Sequence, residues 1–111
     1  MKEAQVINAL SALSQETRLR IVRYLVSCDD EGAAAGDIAE HVDAGASNAS
    51  FHLSALEHSG LVTSERQSRK IIYRADFEKI GGLISFLLND CCGNNPDIRA
   101  CCLNDNNPEC C

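Results

Sequence analysis

From Val6 to Leu88 the apolar residues fall in short periodic runs separated by polar turns. The first run, roughly residues 2–13, closes on Leu10 and Leu13 and predicts a helix. Ser14 suits the N-cap of a second helix, with Thr17 in its first turn. There Leu19, Val22 and Val26 keep helical spacing, Ile21 and Leu25 widen the stripe, and the polar DDEG stops the helix near Cys28. A short third helix fits residues 35–42, with Ile38 and Val42 inward. The turn DAGA follows, where Gly45 can supply a positive φ. A fourth helix, about residues 46–59, sets Ala49, Leu53 and Leu56 on one face and Ser47, Asn48, Phe51, His52 and Ala55 on the other. Gly60 suits the position just past its end.

The period then changes. Leu61, Thr63 and Glu65 alternate with Val62, Ser64 and Arg66, which predicts a half-buried strand, and Ile71, Ile72 and Tyr73 are strand-prone as well. The polar QSRK between them reads as a hairpin tip, although it lacks Asn-Gly. A last helix over about residues 76–90 places Phe77, Ile80, Ile84, Leu87 and Leu88 inward. Gly81 and Gly82 lie inside it at about 1 kcal/mol each relative to Ala, which close approach of a neighbouring backbone would offset. The Asn- and Asp-rich tail after Cys102 predicts weak order unless its cysteines are tied down. The expected fold is mainly α with a small β-hairpin wing: four helices, two strands, one helix. Residues 1–90 form the expected folded domain and residues 91–111 a cysteine-rich segment.

Composition adds three constraints. The 111 residues suit one domain. No apolar run is long enough to span a bilayer, and Glu3, Gln5 and Asn8 interrupt the N-terminal stripe, so neither a membrane span nor a signal peptide is expected. A cytoplasmic, reducing setting follows as an expectation. Finally, six of the seven cysteines lie in residues 91–111, with Cys28 the exception, which argues against a disulfide framework and for metal binding or redox sensing. Cys28 is expected in the core.

The net charge of −6 counts against a generic nucleic-acid binder. Its distribution softens that objection. From Asn89 onward Asp90, Asp97, Asp105 and Glu109 face only Arg99, while basic clusters survive at Arg18, Arg20 and Arg23 and at Arg66, Arg69 and Lys70. Local field matters more to DNA than the sum does. The third and fourth helices, joined by a tight turn, have the form of a helix-turn-helix. The small polar face of the fourth suits a major groove. Asn48 is placed to read adenine and Phe51 to lie against a thymine methyl, while Ser47, Ser50, His52 and Ser54 can hold bases or phosphates. The hairpin tip, Arg66 to Lys70, is shaped to follow phosphates as a wing. Against this, Phe51 also suits a core position, at least two of Arg18, Arg20 and Arg23 suit an ordinary wet face, and His41 and His58 read as solvated.

The segments ALSQETRLRIVRYL, GDIAEHV, SNASFHLSALEHSGLV and ERQSRKIIYRAD, in this order and spacing over about residues 9–78, resemble the ArsR/SmtB family of winged helix-turn-helix metalloregulators. The resemblance implies a homodimer on double-stranded operator DNA, joined through the first and last helices, and repression relieved by an inducer. Two familiar sensing sites of that family are absent. Its third-helix ELCVCD motif corresponds here to GDIAEHV, without cysteine, and the last helix, which in some members binds zinc through Asp and His, has no histidine.

What remains is the cluster Cys91, Cys92, Cys101 and Cys102. Thiolates select soft ions, and trivalent arsenic or antimony takes three in a pyramid. Some arsenite-sensing family members carry a cysteine pair here with one more downstream. As(III) or Sb(III) is therefore the expected inducer, with no organic cofactor, and Cys101 or Cys102 completes the set. Four thiolates for zinc or cadmium, a methylated arsenical on two thiols, and a thiol redox switch stay open. An enzyme is not expected, because no Gly-rich phosphate loop precedes any cysteine.

Overall fold

The computed structural model describes residues 1–103. Helix α1 (Glu3–Leu13) and helix α2 (Glu16–Ser27) lead through a 3-10 turn (Asp29–Glu31) into a two-residue strand β1 (Ala33–Ala34). Helices α3 (Ala35–His41) and α4 (Ala46–His58) follow, then strands β2 (Val62–Gln67) and β3 (Lys70–Ala75). Helix α5 (Phe77–Ser85) runs on into a π-helical turn (Phe86–Cys91), and α6 (Pro96–Leu103) comes last among the described residues. The mainly helical fold with a hairpin wing is as expected. Among the described residues no helix is long and apolar enough to cross a membrane.

The core gathers Val6 and Ala9 from α1, Ile21 and Leu25 from α2, Ile38 from α3, and Leu53 and Leu56 from α4. Leu61, Val62, Ala75 and Leu83 close it from the wing base and α5. A fully buried Leu or Ile contributes about 1.5–3 kcal/mol relative to exposure. The face of α4 holding Ala49, Leu53 and Leu56 is thus what anchors it.

Several local expectations give way to geometry. The N-cap of α2 is Gln15, not Ser14: its side-chain oxygen accepts from the backbone N–H of Arg18 at 2.9 Å. In the α3–α4 turn Asp43 takes the left-handed conformation (φ 55°), while Gly45 is extended (φ −65°). Asp tolerates that region because its short side chain bonds locally. After Val62 the wing leaves the body, so Thr63 to Gln67 are all exposed rather than alternating. The inward residue of α5 is Leu83, while Phe77 and Ile84 are exposed and Ile80 and Leu87 half-buried. A Cβ on Gly81 or Gly82 would meet nothing within 4 Å, so no close backbone approach within the chain explains them. Cys28 is half-buried at the end of α2 and packs on the core from outside. The tail past Leu103, with Cys110 and Cys111, lies outside the described residues.

The sheet has a third strand that periodicity did not predict. Its order is β1-β3-β2, all antiparallel, with Ala33 opposite Tyr73 and Ala34 opposite Ile72. Gly32 makes this pairing possible. It sits at φ 67° and ψ −161°, a region open essentially to glycine alone, and a Cβ there would stand 2.3 Å from the Tyr73 carbonyl oxygen.

Candidate functional site

Helix α4 presents Ser47, Asn48, Ser50, Phe51 and Ser54 to solvent. Phe51 is 64% exposed, which rules out the core position open to it on sequence grounds. The helix begins at Gly45 without a side-chain cap, so its first N–H groups are open to an external acceptor. At its other end Gly60 (φ 87°) donates to Glu57 O and Leu61 donates to Leu56 O, the paired bonds of a Schellman cap. That cap turns the chain directly into β2, so the wing starts from a defined point on α4.

His52 departs from the expected polar face. It is buried, 8% exposed, and its Nδ1 accepts from Arg18 Nε–H at 3.1 Å. Burial, and secondly the Arg18 charge, lower its pKa. The neutral ring that results is what an Nδ1 acceptor requires. The same guanidinium lies over Phe51, with Cζ 5.7 Å from the ring centroid. Arg18 thus links α2 to two consecutive residues of α4. Of the other histidines, His58 is exposed, and His41 is exposed yet stacks on Tyr24 with ring centroids 4.0 Å apart.

The wing is a two-residue hairpin. Gln67 pairs with Lys70, and Ser68 takes φ 59° in the turn. Arg66, Arg69 and Lys70 are all exposed there. Three hydrogen bonds hold its base: Ser64 Oγ donates to the Glu57 carboxylate of α4, and Arg74 donates to Glu65 at 2.8 Å and to the Asp30 carbonyl at 2.7 Å. The base of the wing is therefore tied to α4.

The thiols sit apart from this face along the chain. Cys91 ends the π-helical turn and is exposed, and Cys92 follows it, half-buried. Both are free, as is the exposed Cys102 on α6. The Cys92 pKa is raised by its side-chain hydrogen bond with Cys91, ahead of burial and the Cys91 charge. Cys101, half-buried on α6, is disulfide-bonded rather than free. Among the described residues no three His, Cys, Asp or Glu side chains are grouped closely enough to hold a metal ion. Cys91 and Cys92 thus stand together, and no third donor joins them among the described residues.

Sequence reasoning missed the latch at Arg18. Its signal was available: an arginine and an aromatic-histidine pair on facing helices, with Ser47 and Asn48 free of such a partner.

A helix-turn-helix whose second helix carries a polar face, followed by a hairpin with a basic tip, defines a winged helix-turn-helix DNA-binding protein. The comparisons agree. A family model described as Helix-turn-helix domain matches residues 13–65. The HTH-type transcriptional regulator YgaV of Escherichia coli (strain K12) is 31% identical over 88 residues, 79% of this chain and 87% of that protein. An ArsR-like transcriptional regulator from Rhodococcus sp. RHA1 superposes with TM-score 0.67 at 29% identity, covering 90% of both chains. The homodimeric winged helix-turn-helix domain Mb0332 from Mycobacterium bovis shares the fold, with TM-score 0.64 at 24% identity over 83% of this chain and 85% of that one. The chain belongs to the ArsR family of winged helix-turn-helix transcriptional regulators. It is a regulator of transcription and not an enzyme.

Proposed function

We propose that the protein is a cytoplasmic, homodimeric repressor that leaves its operator when trivalent arsenic or antimony binds its C-terminal thiolates. The observation that carries this reading is the free vicinal pair Cys91–Cys92 at the end of the last core-packed helical segment. Two thiols already in contact suit a thiophilic centre of low coordination number. The residues present fit two-thiol binding as they stand. A three-thiol centre needs one more donor, and Cys102, free and exposed, is the candidate.

Dimer formation is supported by apolar surface left uncovered on both helices expected to carry it. Ile7 and Leu10 on α1 and Phe77 and Ile84 on α5 are each 41–58% exposed. The Mycobacterium bovis domain of the same fold is homodimeric. In the proposed complex Ser47, Asn48, Ser50, Phe51 and Ser54 face the major groove, and Arg66, Arg69 and Lys70 follow the backbone. Buried His52 supports α4 from behind instead of touching bases. Drawing α6 towards the end of α5 would shift α5 within the dimer. Release requires only that the liganded thiols favour the dimer geometry with lower DNA affinity.

A thiol redox switch is the second reading, favoured by a segment that holds both a disulfide, at Cys101, and free thiols, at Cys91, Cys92 and Cys102. One gel-shift experiment on reduced protein separates the two. Arsenite should release bound DNA, and Cys91→Ser combined with Cys92→Ser should stay bound. Release of the double variant by arsenite would remove these thiols from the site. Release by peroxide, reversed by reductant, without any arsenite response would select the redox reading.

A further inference from the structure

Arg18 is built into the reading head, yet none of the groups placed in the groove or on the wing explains its charge. Its Nε–H is committed to His52, and its guanidinium is held over Phe51. Among the described residues the ion pairs are Arg20–Glu16 and Arg74–Glu65, so Arg18 has no carboxylate partner. It lines a cleft of about 520 Å³ between α1 and α4, with Asn8, Ser11, Ser54 and His58 among the other walls. These contribute amide, hydroxyl and imidazole groups, and no acid faces the cleft. Phe51, on the same rim, points out of the protein from the helix that enters the groove.

We propose that Arg18, with this cleft, binds a phosphodiester of the DNA backbone beside the groove that α4 reads. An arginine locked by one N–H keeps a planar fork of further donors, and the lost rotamer freedom has already been spent in the fold. In helix-turn-helix complexes the first helix of the motif crosses the backbone, where phosphates and not base edges are met, and α2, which carries Arg18, packs against both helices of the motif here. Neutral His52 contributes by accepting the Nε–H without adding a competing positive charge that would push Arg18 away. Free inorganic phosphate offers the same chemistry to the same cleft. The proposal rests on the DNA binding of the family and not on the inducer, so its failure would leave the arsenite response intact.

The test measures affinity across a KCl series, by fluorescence anisotropy, with full-length reduced protein. The probe is a duplex that the protein has itself selected from a random pool. Arg18→Gln should weaken binding and flatten the plot of log K against log[KCl] by about 0.9 for each protomer's lost phosphate contact. Arg18→Lys should keep most of the slope, because it retains the charge. Thermal melting checks each variant. Should Arg18→Gln unfold, Arg18→Met, which preserves the apolar stem over Phe51, takes its place. An unchanged slope in the folded neutral variant would overturn the proposal. So would saturable amide shifts around the cleft on titration with inorganic phosphate alone, if the DNA slope stayed unchanged, since the site would then belong to a free anion.

Discussion

Arg18 Nε–H and His52 Nδ1, 3.1 Å apart, join the first turns of α2 to the middle of α4. The bond exists only while His52 is neutral, which makes the reading head sensitive to acid. The His52 pKa is lowered in the fold, by burial first and by Arg18 second, whereas the unfolded chain takes up the proton near the ordinary value of about 6.5. Below that pH the unfolded state therefore binds more protons, and stability falls until the folded pKa is passed. The stabilisation is fully present above about pH 6.5. Thermal melts from neutral to mildly acidic pH should show a declining midpoint, and His52→Gln should flatten that decline. An equally steep decline in the variant would mean that other groups cause it.

Gly32 carries the second prediction. Ala at this position must occupy a backbone region that costs about 1–3 kcal/mol, and its Cβ would also press on the Tyr73 carbonyl at 2.3 Å. Gly32→Ala should destabilise the protein by several kcal/mol by the same reasoning, read as a lower midpoint in urea. Gly36→Ala serves as control, because nothing lies within 4 Å of its added Cβ.

Cys91 holds the Cys92 pKa up, mainly through their hydrogen bond. Removing it in Cys91→Ala should lower that pKa and speed alkylation of Cys92 by iodoacetamide at mildly alkaline pH. Mass spectrometry of time-quenched samples reports the rate. Slower alkylation of Cys92 in the variant would contradict the arrangement.

The legible part of this molecule was the part governed by period. Leu53 and Leu56 face the core, and Gly60 ends α4, because apolar spacing and a left-handed cap are local signals. The two-residue β1 was not legible: Ala33 and Ala34 carry no strand signal of their own, and only pairing with Ile72 and Tyr73 makes them a strand. His52 misled for a related reason. A histidine on the polar side of a helical wheel reads as wet, and the arginine that covers it lies 34 positions away in sequence. The exposed Phe77 and Ile84 show the same limit from the other side, since an apolar stripe in the sequence does not say whether the chain itself covers it. Cysteine spacing placed Cys91 and Cys92 together but could not say that Cys101 would be engaged elsewhere.

The π-helical turn Phe86–Cys91 carries α5 on to the thiol pair. A π turn takes in one more residue than an α turn, so by its end the side chains have swung roughly a quarter of a revolution from the α register. The bearing of Cys91 and Cys92 is therefore a matter of helical pitch. A change of one residue in the length of that segment would point the pair at a different neighbour while leaving the reading head in place.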